Sequence, residues 1–334
     1  MNYWLDECRW LYNHFLEERI KTYNESKKSL TFNEQALSLS SLKRERYTLT
    51  NVYSQVLVDV AKRIDEAFKS FFRRIKEGKE KSGLPHFQGK NRYNSFTFPQ
   101  YGFKLIDDKK LHLSKIGDIK IVLHMPIEGK IKTCTIKRSS TDKWYVSFVC
   151  ECESVPLHEN NNIVNIDIGL NSPVLNIDHN VETKIFRQDE KALAKALHKW
   201  HKANKNSPER AKLRKVVNRI LERIKFRRQN SCHQVSRYLI NNFDNIIVEN
   251  IDKKTAKTIQ DAAWSDLFRQ LSYKAEWTGR KLMVVDQSCI SYTCPKCGCE
   301  QESQSNECSN CGQQIDLYHN AAINILRLGQ YLQI

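Results

Sequence analysis

Between residues 1 and 78 the apolar positions recur at helical spacing, first Trp4, Leu5, Cys8, Leu11, Tyr12, Phe15 and Leu16, then Val56, Val60, Ile64, Phe68, Phe71 and Ile75. Steps of three and four put each set on one helix face, so this stretch predicts helices packed through those stripes. The pattern stops at Lys76 to Lys81, a basic segment with Gly78 inside it and Gly83 and Pro85 just beyond, which reads as a linker. From about Phe87 to Glu153 the period changes to two. Ile119 to Leu123, Ile131 to Ile136 and Trp144 to Cys150 predict short strands, the last two joined by the polar turn Ser139-Ser140-Thr141-Asp142. Short strands in succession predict a small barrel or sandwich.

After Leu157, residues 163–170 form a mostly apolar run carrying one acid, Asp167, and short strands are expected near Val174 to Ile177 and Thr183 to Phe186. A basic helical region follows from about Glu190 to Asn241. Leu213, Val217, Ile220 and Ile224 share one face of it, with Arg210, Lys212, Arg214, Arg219, Arg223, Arg227 and Arg228 elsewhere around it. Ile246-Ile247-Val248-Glu249 is a second apolar strand ending in an acid. A helix from about Ala262 to Arg280 and a strand at Leu282 to Val285 complete an α/β layer.

Composition narrows the partners. A chain of 334 residues, 40% hydrophobic, has enough apolar material for two or three units. No apolar run approaches 18 residues, and no charged-then-apolar leader is present, so a soluble cytoplasmic protein is expected. A net charge of +16 attracts polyanions, with nucleic acid ahead of a membrane surface. A solvated lysine-rich surface is the plain alternative.

Eleven cysteines, four of them in paired spacing, favour thiolates over a disulfide framework. Cys294-Pro295-Lys296-Cys297-Gly298 and Cys308-Ser309-Asn310-Cys311-Gly312 are two turns that each offer two thiolates to one ion. Four thiolates at about 2.3 Å make a closed tetrahedral zinc site that folds the chain and performs no chemistry. Cys299 is read as a bystander.

A lone strand acid is more often a cap or an edge residue than a catalyst. Asp167 in one apolar strand, Glu249 at the end of a later one and a third acidic slot after the ribbon make a different case. Nucleases of the RNase H-like class hold two Mg²⁺ about 3.5 to 4 Å apart with such carboxylates, which supply the hard oxygens that Mg²⁺ prefers.

Asn165-Ile166-Asp167-Ile168-Gly169-Leu170, Ile247-Val248-Glu249-Asn250-Ile251, the run Trp264 to Arg280, Val285-Asp286, Cys294-Pro295-Lys296-Cys297-Gly298 and Asn320-Ala321-Ala322-Ile323-Asn324-Ile325 together resemble TnpB. These are RNA-guided nucleases of bacterial insertion sequences, ancestral to type V CRISPR effectors. Cys8-Arg9-Trp10-Leu11-Tyr12-Asn13 and Gly83-Leu84-Pro85-His86-Phe87 extend the resemblance over nearly the whole chain. It implies a multidomain α+β architecture: a helical recognition lobe over 1–82, a wedge-like β-barrel over 83–158, and an RNase H-like (RuvC) α/β domain over 159–289. A zinc ribbon over 290–314 is inserted before that domain's last segment, 315–334. It implies a guide RNA, a double-stranded DNA target read by base pairing as an RNA–DNA heteroduplex, no membrane partner, and a place in the bacterial cytoplasm beside the nucleoid. Tyr53, Gln55, Arg92 and Tyr93 are candidates for reading a flanking DNA motif.

Two departures bear on activity. After the ribbon the family pattern runs Asp-x-Asp-x-Asn-Ala-Ala, and the slot of its second acid, the third metal ligand, holds Tyr318. A neutral phenol brings no charge, so Mg²⁺ loses an anionic ligand. Asp316 is a poor substitute. Residues two apart diverge by about 200° on a helix, or stand roughly 6.6 Å apart on one face of a strand. The chain also opens inside the pattern's first helix, without the strand and Tyr/Pro turn that precede it there.

The leading expectation is a nuclease-dead, RNA-guided DNA-binding protein that represses transcription. An active Mg²⁺-dependent endonuclease with rearranged ligands and a decayed transposon relic are the alternatives.

Overall fold

The computed structural model describes residues 1–78, 83–167, 174–175, 184–249, 259–285, 294, 296–297, 299 and 307–314. The chain divides into two compact units, Met1–Glu153 and Ser154–Ile334.

In the first unit three helices, α1 (Asn2–Ser26), α2 (Phe32–Glu45) and α3 (Ser54–Lys76), precede strands β1 (Ser95–Phe98), β2 (Phe103–Asp107), β3 (Lys110–Leu113), β4 (Gly117–Lys120), β5 (Lys130–Arg138) and β6 (Trp144–Glu151). Thr31 caps α2 and trades hydrogen bonds with Glu34, which explains why that helix begins at Phe32. The helical stripes and the strands close over one core. Leu11, Phe15 and Leu16 of α1 and Val56, Leu57, Val60 and Ile64 of α3 are buried with Phe96, Phe98, Leu111, Leu113 and Ile136 of the sheets. The Trp4 ring joins the two layers, with centroids 5.3 Å from Phe96 and 5.9 Å from Phe98. Arg63 of α3 does so with hydrogen bonds, donating to Asp59 at 2.7 Å, the Ser95 carbonyl at 2.9 Å and Thr97 Oγ1 at 2.7 Å.

The barrel expected over 83–158 is not closed among the described residues. Two antiparallel three-stranded sheets stand in its place, ordered β1-β5-β6 and β2-β3-β4. The helices cover one face of β1, so its apolar residues are buried without closure. Tyr93 also departs from expectation. It is 8% exposed, beside Tyr12 and the Arg63 guanidinium, so it serves the core and not a DNA surface.

Glu7 shows how a polar group is tolerated in this core. Arg46 donates to both its carboxylate oxygens, at 2.8 and 3.0 Å, and Thr48 adds a third bond at 3.0 Å. Burial works to raise its pKa, but the Arg46 and Thr48 bonds outweigh it and hold the group below the ordinary 4.5. A depressed carboxylate stabilises the fold above its unfolded pKa and loses that contribution as pH falls through its folded pKa. Glu7→Gln is therefore expected to cost about 1 to 2 kcal/mol at pH 7. The difference from the parent in urea titrations should shrink steadily below pH 4.5.

The second unit is built on the sheet β10-β9-β7-β8: β7 (Ile163–Asp167), β8 (Val174–Leu175), β9 (Asn245–Glu249) and β10 (Lys281–Val285). β7, β9 and β10 run parallel and β8 antiparallel. The helices α5 (Pro208–Asn242) and α6 (Ile259–Thr278) pack on it through Cys232, Leu239, Ile240, Leu267, Leu271 and Ala275, against Val164, Ile166, Ile246 and Val248. Arg280 and Asp244 pair at the opposite end of the sheet from the acids, and Asp244 also accepts from the backbone amides of Asn160 and Asn161 at 2.7 Å.

The strand expected at Thr183 to Phe186 is instead the start of helix α4 (Lys184–Lys202). The good helix formers from Lys191 to Leu197 propagate back through a segment too short to hold strand structure alone. The basic helical region expected from about Glu190 to Asn241 is made of two helices, α4 and α5. Ser207 caps α5 by accepting from the Arg210 amide, and Pro208 opens it. Among the described residues no helix is long and apolar enough to cross a membrane.

Candidate functional site

Three groups of residues in the second unit are candidates. The first is the acid pair. β7 and β9 lie in parallel register with Ile166 opposite Val248, so the next step sets Asp167 beside Glu249 at the C-terminal ends of adjacent strands. Neighbouring strands are about 4.8 Å apart, and carboxyl ends of parallel strands are where ligands bind in open α/β sheets. Asp167 also pairs with Val174 of β8, and Glu249 with Val285 of β10, so sheet neighbours hold both backbones. Tyr318, Asp316, Asp286 and the Asn320 to Ile325 motif lie outside the described residues.

The second group is the cysteine cluster. The sulfurs of Cys294, Cys297, Cys308 and Cys311 all lie within 4.8 Å of one another, with Cys294–Cys311 and Cys297–Cys308 each at 3.7 Å. Four sulfurs around zinc at about 2.3 Å would stand about 3.8 Å apart, so the set fits the ion. The two turns are built alike. The Cys294 amide donates to the Cys299 carbonyl and the Cys308 amide to the Gln313 carbonyl, both at 2.9 Å. Gly312, at φ 65°, allows the second turn to close. The Cys299 backbone amide and then Asn310 pull the Cys297 thiol down to about 6, favouring the thiolate a metal needs. Cys299 thus contributes through its main chain, a role its side-chain type gave no reason to expect.

The third group is the basic hairpin of α4 and α5. Arg223 and Arg227 clamp Asp189 of α4 at 2.8 and 2.6 Å, and Asp189 is 2% exposed. Arg210 lies over the Trp200 ring at 4.7 Å and donates to the Ala203 carbonyl. Three of the seven expected phosphate contacts are thus engaged within the hairpin. Lys212, Arg214 and Arg219 are exposed and, among the described residues, have no carboxylate partner; Arg228 is half-buried. Asp189 was missed from sequence because its partners lie more than thirty residues away.

The family model described as "Probable transposase" (OrfB_IS605) matches residues 147–260, and "Cas12f1-like, TNB domain" matches residues 264–325, which include the cysteine cluster. A candidate RNA-guided DNA endonuclease of Streptomyces pristinaespiralis is 28% identical over 96% of this chain and 83% of its own length. A similarly named Escherichia coli K12 protein, InsQ, is 26% identical over 96% of this chain and 86% of its own. The fold resembles a chain in a cryo-EM structure of a Cas12f1–sgRNA–target DNA complex, with TM-score 0.57 and 14% identity over 97% of this chain and 81% of that one. Over residues 147–260 and 264–325 the chain is thus similar to IS605-type transposases and Cas12f1-like proteins, and along nearly its whole length to relatives named as RNA-guided DNA endonucleases.

Proposed function

We propose that this protein binds a guide RNA, uses it to find matching double-stranded DNA, and holds that DNA without efficient cleavage, so that it represses transcription at the matched site. The observation that carries the reading is the mixed state of the acid set. Asp167 and Glu249 share a register position at the strand ends, while the third slot of the family pattern holds Tyr318. Magnesium bound there would polarise a phosphodiester. Two carboxylates and a phenol offer it one negative charge fewer than three carboxylates would. The similarity to IS605-type transposases and to relatives named RNA-guided endonucleases supports the RNA and DNA partners, and the +16 charge supplies the attraction.

The hairpin divides its basic residues by role. Lys212→Gln and Arg219→Gln are each expected to weaken RNA binding and to flatten the slope of log affinity against log salt by about 0.7 to 0.9. Arg223→Gln, whose guanidinium is held by Asp189, should lower the melting temperature and leave the slope nearly unchanged. Isothermal binding at four salt concentrations separates the two.

The proposal is tested by expressing the protein with its flanking DNA and sequencing the RNA that co-purifies. One discrete RNA in about equimolar amount is expected; a random assortment of cellular RNA would sink the reading.

A further inference from the structure

The outer side of α6 carries a stripe that neither the acids nor the cysteines use. The helix buries Leu267, Gln270, Leu271, Lys274 and Ala275. Arg269, Tyr273 and Trp277 follow one another at four-residue steps along another face. Trp277 is 60% exposed, and its ring lies 4.7 Å from that of Tyr273, tilted by 57°.

Positive charge gathers around this pair. Burial pushes the Tyr273 hydroxyl up while the charges of Arg269 and then Arg237 of α5 pull it down, so both act on it electrostatically. Lys274 is lowered by burial and then by Arg237, and His233 by burial, then Lys274, then Arg269. The acid facing these groups is Asp266, 3.6 Å from Arg269, which also acts on His233. Arg237 is exposed and, among the described residues, has no carboxylate partner. Beneath them Lys274 spends hydrogen bonds on Ser236 Oγ at 2.6 Å and the His233 carbonyl at 3.2 Å, while Gln270 Nε2 is buried with no partner among the described residues.

An exposed aromatic alone is ordinary surface. A Tyr–Trp pair flanked by two guanidiniums is the combination that holds single-stranded nucleic acid, because any base stacks on an aromatic face and arginine meets the adjoining phosphates. We propose that Arg237, Arg269, Tyr273 and Trp277 form a platform for a single-stranded RNA segment, with a base on Trp277 and neighbouring phosphates on the two arginines. This rests on the RNA-binding reading above.

The test uses the full chain freed of nucleic acid and a labelled uridine-rich single-stranded RNA, with a duplex of the same length beside it. Trp277→Ala is expected to weaken single-strand binding about tenfold without changing the salt slope or the melting temperature, and Trp277→Phe to keep most of the affinity. Arg237→Gln with Arg269→Gln should flatten the slope by about 1.4. Ultraviolet cross-linking should tag the peptide containing Tyr273 and Trp277. If the parent chain binds RNA and Trp277→Ala binds it equally, with no cross-link in α6, the platform is overturned and the RNA-binding reading stands. An equal loss on the duplex would overturn stacking as the cause. A parent chain that binds no RNA would overturn both.

Discussion

Tyr318→Asp is expected to raise Mg²⁺-dependent cleavage of guide-matched DNA by at least about a hundredfold, the scale of restoring one preorganised electrostatic group in an active site. Asp167 and Glu249 stand at adjacent strand ends, and on the proposed reading residue 318 would bring the third carboxylate. The gain should be charge-specific. Tyr318→Asn, which brings an oxygen and no charge, should stay near the parent, and Asp167→Ala in the Tyr318→Asp background should abolish the restored activity. Rates from single-turnover assays on a matched duplex decide it. A parent chain that already cuts as fast as Tyr318→Asp would show that Tyr318 is no lesion.

Loss of zinc is expected to unfold the ribbon while leaving the first unit standing. The cluster consists of Cys294, Cys297, Cys308 and Cys311, whose two turns are closed by backbone hydrogen bonds, and among the described residues the core around them is made of cysteines. A segment of that length rarely folds on an apolar core alone, and binding free energies for structural zinc in such sites run to about 10 kcal/mol or more. Metal analysis should return one zinc per chain. Cys294→Ser or a strong chelator should remove it and open the segment near 290–314 to protease. The Met1–Glu153 unit rests on its own aromatic and aliphatic core and should keep its helical circular dichroism. A ribbon equally protected with and without metal would contradict this account.

The features legible in the sequence are those set by local spacing. Two Cys-x-x-Cys turns define a metal set without knowledge of the fold, and the stripes at Trp4 to Leu16 and Val56 to Ile75 announce α1 and α3 because a helix face is a local property. The apolar runs carrying Asp167 and Glu249 read as strands for the same reason. Pairing across distance was not legible. Closure of a barrel depends on which edges meet, and the short strands β1, β2 and β3, of four or five residues each, leave weak patterns of their own. Nothing in the spacing of α5 separates Arg223, held by Asp189 from another helix, from Arg219, which faces solvent. Tyr93 looks like a surface aromatic beside Arg92, and only the packing of α1 and α3 against β1 buries it.

The central claim is that the protein holds guide-matched DNA without cutting it. The direct measurement is a titration of the protein–RNA complex against matched and scrambled duplexes in Mg²⁺, with the DNA recovered and run on a denaturing gel. Binding of the matched duplex at least about a hundredfold tighter, with both strands intact, is the predicted result. Equal binding of the two duplexes, or rapid cleavage of the matched one by the unmodified chain, would contradict it.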